Sequence, residues 1–376
     1  DGIRDQPRSR GLGDVYKRQV QGALGSDMRF GSDSRLRLTG FTTWYRDQYD
    51  RDQRQSDAMD RYTDTKELLI QGSAQFDQGI SDAHLLTVGV DVLAEQMDSD
   101  RLAPGTGERK RIGIFLPAQC LLLKQNRLAI MPGCRADFDS LFGFHHTPRL
   151  AVRFDPHPSW TVRAGVGWGY RAPSFKELLM RFENPSVGYV VEGNTDLKPE
   201  KSRNVNMGVD WAASRSVNLS LSGYRNDVLD LIDYGTLEEG QAGSLTRFGY
   251  INVAEAVTQG GELNLQADLW AGFTVVSGYA FTDTLNVQDN RPLEGRPVHQ
   301  VTGELIQFIE PTQTTVSARG SWNGPKTFFI DTDNDGEENR LTSKPSTLLD
   351  ARIAQDVSFG RTGFRVFAGV ENLLNT

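Results

Sequence analysis

The residues of this chain with the clearest chemical potential lie in one polar stretch, residues 170–202. Arg181, Phe182 and Tyr189 stand close together within it. Arginine and aromatic side chains bind anionic, ring-rich molecules through charge, cation–π contact and stacking. We therefore interpret these three residues as candidate ligand contacts. The alternative is that they only pack this stretch against itself.

A second candidate site is the acidic run 331–336 (DTDNDG), which has the D-x-D-x-D-G start of a calcium loop. Position twelve would be Thr342, whereas such loops normally place a bidentate glutamate there. A neighbouring glutamate could substitute for it. Asp331, Asp333 and Asp335 are therefore candidate ligands for a weakly bound calcium ion, and a solvated acidic turn is the alternative.

The rest of the sequence offers no catalytic constellation. We find no Ser/His/Asp arrangement, phosphate-binding loop or dinucleotide fingerprint, so neither an enzyme activity nor a resident cofactor is predicted. Two cysteines in 376 residues exclude a disulfide scaffold and a cysteine-rich zinc module. The net charge of −8, from 41 basic and 49 acidic residues, argues against a nucleic-acid partner.

The elements that must position these residues are β-strands, because the apolar residues recur with a period of two. In the segment 160–170 every second residue is apolar and the residues between are small or polar. About fifteen segments share this pattern, and many are ten residues or longer, which suits strands that cross a bilayer at a tilt. Their cores are 33–47, 65–77, 84–97, 110–123, 127–139, 147–155, 158–171, 202–213, 216–233, 254–270, 272–285, 299–310, 312–323, 346–357 and 361–372.

The connections between these segments alternate between short and long. Every second turn of an up-and-down barrel falls on the same side, and outer-membrane barrels have short turns on one side and long loops on the other. The sequence therefore predicts an all-β, antiparallel, up-and-down transmembrane β-barrel. A soluble secreted β-propeller or adhesion module is the alternative from a different class.

The longest connection contains its own helix signal. Ser174 and Glu177 have the spacing of a capping box, and apolar residues follow with helical spacing from Phe175 to Phe182. Asn184-Pro185 breaks the pattern. We expect a short amphipathic helix inside this loop, followed by turns before the next strand.

At this point the sequence resembles the TonB-dependent outer-membrane receptors, and siderophore receptors in particular. The loop carries the residues of their hallmark segment in order. Two further segments agree, Asn252–Glu262 and Val370–Leu373, the second resembling the "NL" box before the final strand. The matching residues are Arg171, Ala172, Pro173, Glu177, Gly193, Asn194, Leu197, Pro199, Glu200, Asn372 and Leu373.

The resemblance implies a 22-stranded barrel in the Gram-negative outer membrane, embedded in its lipid and plugged by an N-terminal domain. About fifteen of those strands would be present here and the plug absent. On this interpretation residues 20–376 are a barrel region truncated at both ends, and residues 1–19, which lack an apolar period, are an unstructured or non-native tail.

The family resemblance also implies the function, which is uptake of a large scarce ligand, and we expect a ferric siderophore. The TonB energy-coupling protein would be the partner, through the missing N-terminal region. Vitamin B12 and haem are alternative ligands. Haem receptors of the family carry a histidine between the two halves of the hallmark segment, and no histidine lies between Tyr170 and Leu197 here.

The two cysteines fall on neighbouring strands. A tight turn near residues 124–126 would place Cys134 opposite about Leu116, four residues from Cys120. That offset is too long for a disulfide. We expect two small lipid-facing side chains, with a bridge as the alternative.

Overall fold

The computed structural model describes residues 14–51, 61–122, 127–184, 188–238, 245–330, 339–360 and 362–374. These ranges form mostly β-strands, with one short α-helix. The first half of the chain contains β1 (Asp14–Phe30), β2 (Ser34–Arg51), β3 (Arg61–Ser81), β4 (His84–Ser99), β5 (Thr106–Leu122), β6 (Leu128–Asp139), β7 (Gly143–His146), β8 (Arg149–His157) and β9 (Trp160–Arg171). The second half contains α1 (Phe175–Leu179), β10 (Arg181–Asn184), β11 (Tyr189–Glu192), β12 (Glu200–Ala212), β13 (Val217–Glu238), β14 (Thr246–Asp268), β15 (Phe273–Asn286), β16 (His299–Ile309), β17 (Thr314–Asn323), β18 (Thr327–Ile330), β19 (Asn339–Thr342), β20 (Ser346–Phe359) and β21 (Thr362–Val370).

Sixteen of the described strands form one continuous wall in which each strand pairs antiparallel with the next along the chain. The wall runs from β1 and β2 through β6, β8, β9 and β12 to β17, β20 and β21. The remaining strands are short pieces of the connections. The predicted antiparallel up-and-down arrangement is confirmed.

The two faces of the wall differ as the alternation predicts. Apolar side chains on one face are unusually exposed, for example Ile114 at 50%, Val205 at 55% and Met207 at 63%. Within the described ranges the paired strands form a single layer, so no second sheet covers these side chains. Exposed apolar surface of this extent suits contact with lipid. This arrangement favours the predicted barrel over the alternative of a soluble secreted β-propeller or adhesion module.

The opposite face of β4, β5 and β6 carries charged side chains that pair across strands. Arg135 on β6 contacts Asp91 on β4 and Asp137 on its own strand, the latter at 2.6 Å between Nη2 and Oδ1. Arg109 contacts the fully buried carboxylate of Asp139 at 3.0 Å. These polar residues alternate with lipid-facing neighbours such as Ile112 and Ile114, so they line the lumen.

The connections sort by length. Two to five residues separate the strands on one side, as between β1 and β2, β8 and β9, or β16 and β17, while the opposite side carries the longer loops. This confirms the predicted loop sorting and places the long loops on the extracellular side. No helix in the described ranges has the length and apolarity to cross a membrane.

The structure corrects two details of the sequence interpretation. Residues 14–19 belong to β1, a strand that the sequence did not predict, so the tail predicted over 1–19 does not extend that far; residues 1–13 lie outside the described residues. Helix α1 ends at Leu179, and Phe182 lies in β10, because that residue pairs with Val191 of β11.

The predicted register of the cysteines is confirmed. Cys134 lies opposite Leu116, and both cysteines are free thiols. Cys134 is exposed and Cys120 is half-buried.

Candidate ligand-binding site

The loop between β9 and β12 is held by an arginine that joins three elements. Arg171, at the end of β9, donates from Nε and Nη2 to Glu200 at the start of β12, at 2.6 and 2.7 Å. Its Nη1 donates to Glu177 of α1 at 3.1 Å. Glu200 also accepts the backbone N–H of Ile232 on β13 at 2.9 Å. The arginine fork thus fixes both ends of the loop relative to the wall.

The helix in this loop begins with the predicted capping box. The Ser174 hydroxyl accepts the Glu177 N–H at 3.3 Å, and the Glu177 carboxylate accepts the Ser174 N–H at 2.6 Å. Pro173, immediately before the cap, is fully buried. Local sequence therefore determines where α1 starts.

Gly193 and Asn194 close the loop against the helix. A Cβ at Gly193 would lie 2.5 Å from the backbone carbon of Leu178, so only glycine fits. The Gly193 N–H donates to the Met180 carbonyl at 2.6 Å. The Asn194 side chain donates to the Tyr250 carbonyl on β14 at 3.0 Å. These contacts join the loop between β9 and β12, which we call the hallmark loop, to the next long strand pair, β13 and β14.

The second motif segment contacts the first directly. Asn252 on β14 accepts the Lys198 N–H at 2.8 Å and donates to the Lys198 and Asp230 carbonyls at 2.9 and 2.7 Å. The third segment is separate, at the end of β21. There Asn372 adopts a left-handed conformation (φ 51°), its N–H donates to Asp350 at 2.9 Å, and the Leu373 N–H donates to Leu349 at 2.8 Å. These residues thus end β21 and hold its end against β20.

The hallmark loop also rests on the connection between β4 and β5. The Ala103 N–H donates to the Leu179 carbonyl at 2.8 Å, and the Arg181 N–H donates to the Arg101 carbonyl at 2.6 Å. Below this contact, Arg109 of the lumen wall donates to the Pro173 carbonyl at 3.2 Å. The loop is therefore anchored at the mouth of the barrel.

Five aromatic rings meet beside this anchored loop, and we call them the aromatic group. They are half-buried or exposed, and consecutive centroids lie 6.2, 6.1, 5.8 and 5.5 Å apart, within the range of favourable ring pairs. In contact order they are Phe182, Tyr189, Phe248, Tyr234 and Tyr250.

The strand pairing explains why these rings meet. Tyr234 of β13 lies opposite Tyr250 of β14, and β11 adds to β14 as a parallel strand that brings Val191 opposite Phe248. Both tyrosines lie where β13 and β14 extend beyond the apolar band. Burial raises the pKa of Tyr234 and of Tyr250, so both phenols stay protonated and can donate hydrogen bonds.

One guanidinium lies over the edge of this group. The Arg101 Cζ is 5.6 Å from the Phe182 ring centroid and 5.9 Å from that of Tyr49 on β2. Its Nη2 donates to Thr63 at 3.2 Å. Within the described ranges no carboxylate lies at ion-pair distance from Arg101, so its charge is not neutralised there.

The three predicted contact residues lie in two different environments. Phe182 and Tyr189 come together in the aromatic group, whereas the Arg181 guanidinium pairs with the Glu183 carboxylate at 3.0 Å and is exposed. Sequence reasoning did not identify Arg101, Tyr234, Phe248 or Tyr250. The only available signal was the position of Tyr250 two residues before the Asn252 motif.

The other sequence candidates give no site in the described residues. The proposed calcium ligands Asp331, Asp333 and Asp335 lie outside them. Elsewhere in the described ranges no group of three or more His, Cys, Asp or Glu residues could hold a metal ion. Among the histidines of these ranges, His145 on β7 stacks on Tyr170 with ring centroids 3.9 Å apart, and its Nε2 lies 2.8 Å from the Phe142 carbonyl oxygen.

Comparison with known proteins places this geometry in context. A family model described as "TonB dependent receptor-like, beta-barrel" matches residues 3–373. Among curated proteins, the chain is similar to the iron-regulated outer membrane virulence protein of Vibrio cholerae, with 29% identity over 244 residues. The match covers 62% of this chain and 36% of that protein, so it spans about a third of the relative's length.

Among solved structures, the chain is similar to a ferric enterobactin receptor from Pseudomonas aeruginosa, with a TM-score of 0.77 and 15% identity, over 96% of this chain and 56% of that one. It is also similar to the siderophore receptor PirA from Acinetobacter baumannii, with a TM-score of 0.75 and 17% identity, over 96% of this chain and 59% of that one. At these identities the likeness establishes the fold.

Proposed function

Because the chain belongs to the TonB-dependent receptor family, an integral outer-membrane β-barrel family of receptors rather than enzymes, we propose that this protein takes up a ferric siderophore. Capture occurs at the extracellular mouth of the barrel, and release inward depends on the TonB energy-coupling protein. The aromatic group with Arg101 carries the proposal.

The chemistry of the aromatic group fits a ferric siderophore of the catecholate class. Such a chelate is anionic and presents flat aromatic rings, so it can stack on the rings and be attracted by a cation. Arg101 supplies that cation without a carboxylate partner in the described ranges. The tyrosine phenols supply hydrogen-bond donors to chelate oxygens.

The names of the similar proteins also support the proposal of iron uptake. The curated relative is named as iron-regulated, and the two solved neighbours are named as a ferric enterobactin receptor and a siderophore receptor. These names describe those proteins. The whole protein's ligand and its TonB partner are our proposal for this chain.

The test is direct binding to the full-length receptor in outer membranes, together with uptake by whole cells that produce it. We expect saturable binding of a ferric catecholate, weaker binding of a ferric hydroxamate, and uptake that stops when TonB is deleted. Vitamin B12 and haem in the same assay cover the other ligands of the family. Preferential uptake of either one, or siderophore uptake that is unaffected by loss of TonB, would refute the proposal.

A matched pair of variants ties the function to the site. Phe248→Ala removes the central ring of the aromatic group, and we expect it to weaken ferric catecholate binding roughly tenfold. Tyr279→Ala is the control, because Tyr279 is an exposed ring on the lipid-facing side that contacts His299 instead. Equal losses in both variants would show that the aromatic group is not the binding site.

A further inference from the structure

Strand register brings three cations together on the outer, lipid-facing surface of β1, β2 and β3. Arg18 lies opposite Arg46, and Arg46 lies opposite Lys66. Cross-strand partners project from the same face of a sheet, with side chains about 5 Å apart at Cβ. We call these three residues the cation row.

The row lies on the outer face because of the apolar residues directly beside it. Val20, Trp44 and Leu68 lie two positions farther along the same three strands, toward the short periplasmic turns. These three residues also lie opposite one another. Their exposed fractions are 65%, 37% and 37%, as expected of side chains in contact with lipid. The cation row therefore borders the apolar band and does not face the lumen.

The length of the band places the row at the level of lipid head groups. The outward positions of β1 from Phe30 to Val20 cover ten residue steps, or about 33 Å along the strand. A strand tilt of about 40° reduces this to a height of about 25 Å, which is the usual height of the apolar band of an outer-membrane barrel. Arg18 lies just beyond it, on the side of the long loops.

The row is incompletely neutralised. Asp64 forms a bidentate pair with Arg46, at 2.8 Å for both contacts, and lies 3.5 Å from Lys66. Arg18 is exposed and takes part in no ion pair within the described ranges. Asp98 of β4 lies opposite Lys66 in register, but is beyond ion-pair distance. Within the described strands, the three cations of the row thus face one paired carboxylate, Asp64, and the more distant Asp98.

A second outward-facing arginine shows what full neutralisation looks like. Arg225 on β13 contacts Asp227 at 2.8 Å and donates to Gln259 at 3.2 Å, while Gln259 donates onward to Asp283. Every group in that row has a protein partner. The cation row has a surplus of donors at the same kind of boundary.

We propose that the cation row binds the phosphate of a phosphorylated lipid in the outer leaflet. Guanidinium and ammonium groups at a membrane surface attract anionic head groups, and arginine forks match phosphate oxygens. The acyl chains would lie on the adjacent apolar row. This site is on the opposite face of the wall from the lumen and does not depend on the ligand of the aromatic group.

The experiment measures binding of diphosphoryl lipid A to the full-length receptor purified in detergent, by native mass spectrometry. The triple variant Arg18→Gln, Arg46→Gln, Lys66→Gln should bind roughly 100-fold more weakly, because each cation near an anionic lipid contributes about fivefold. Arg225→Gln should bind like the unaltered receptor. Millimolar inorganic phosphate should not displace the lipid, which separates a lipid site from a free-phosphate site.

Folding is checked by heat-modifiable migration of each variant on gels. If the triple variant does not fold, Arg18→Gln with Lys66→Gln carries the test, because both side chains are exposed and the Arg46–Asp64 pair remains. Unchanged lipid binding in the folded variant, an equal loss in Arg225→Gln, or displacement by inorganic phosphate would each overturn the proposal.

Discussion

The hallmark loop and the aromatic group lie side by side at the mouth of the barrel, yet their side chains are used in opposite ways. In the loop, Arg171 and Asn194 donate hydrogen bonds to β12 and β14, and Gly193 packs against the backbone of α1. In the aromatic group, Tyr234 is 48% exposed, and its ring contacts those of Phe248 and Tyr250. The comparison teaches that the recognisable motif builds the mouth, whereas the residues that we propose as ligand contacts lie next to the motif.

The largest loss of stability should come from a substitution at Gly193, the most confined position of the hallmark loop. Gly193→Ala forces a Cβ to within 2.5 Å of the α1 backbone, so the loop must shift. We expect a cost of about 3 kcal/mol and rapid proteolysis at the loop. Limited proteolysis of the receptor in detergent measures it.

Gly235→Ala is the matched control, because a Cβ there meets nothing within 4 Å. The control should resist protease like the unaltered receptor. If Gly193→Ala resists equally well, the loop is not locked in the way described.

A smaller effect is expected from the arginine that joins the loop to the wall. Arg171→Ala leaves Glu177 and Glu200 without their shared donor, at a cost of about 1–2 kcal/mol, because the guanidinium itself is half exposed. Thermal loss of the heat-modifiable band gives the stability. Arg163→Ala, at a more exposed pair with Asp210, should cost less, and a reversal of this order would contradict the assigned role.

The same comparison explains what the sequence could predict. Alternation predicted fifteen of the wall strands, because a strand between lipid and water needs apolar and polar residues at alternate positions. It missed β1, where glycines at Gly22 and Gly25 and polar residues interrupt the apolar series. That strand is fixed by seventeen paired positions along β2, which is tertiary information.

The candidate site was harder to predict for a similar reason. The capping box of α1 depends on residues three apart, so it was visible. Phe182 leaves the predicted helix because of its pairing in β10, and Arg101 belongs to a connection without periodicity. Contacts between distant loops leave no pattern in any one segment.

The third prediction tests the proposed ligand-binding role of the aromatic group. Tyr234→Ala should weaken ferric catecholate binding about tenfold, since it removes a ring that stacks on Phe248 and contacts Tyr250. The thermal stability should change little, because the ring is exposed. A titration with the ligand and a melting experiment on the same preparation separate the two effects. A large loss of stability with unchanged affinity would assign Tyr234 to the structure of the mouth instead.

The smallest effect distinguishes the two arginines near the aromatic group. Arg101→Gln removes an unneutralised charge over Phe182, and we expect about a fivefold loss of ferric catecholate affinity, from a cation–π contact worth about 1 kcal/mol. Arg181→Gln should have almost no effect, because its guanidinium already pairs with Glu183 in solvent. Raising the salt concentration should reduce the difference between Arg101→Gln and the unaltered receptor, since a long-range charge effect is screened. If Arg181→Gln costs more than Arg101→Gln, the ligand approaches from the β10 side, and the sequence-based choice of Arg181 was the better one.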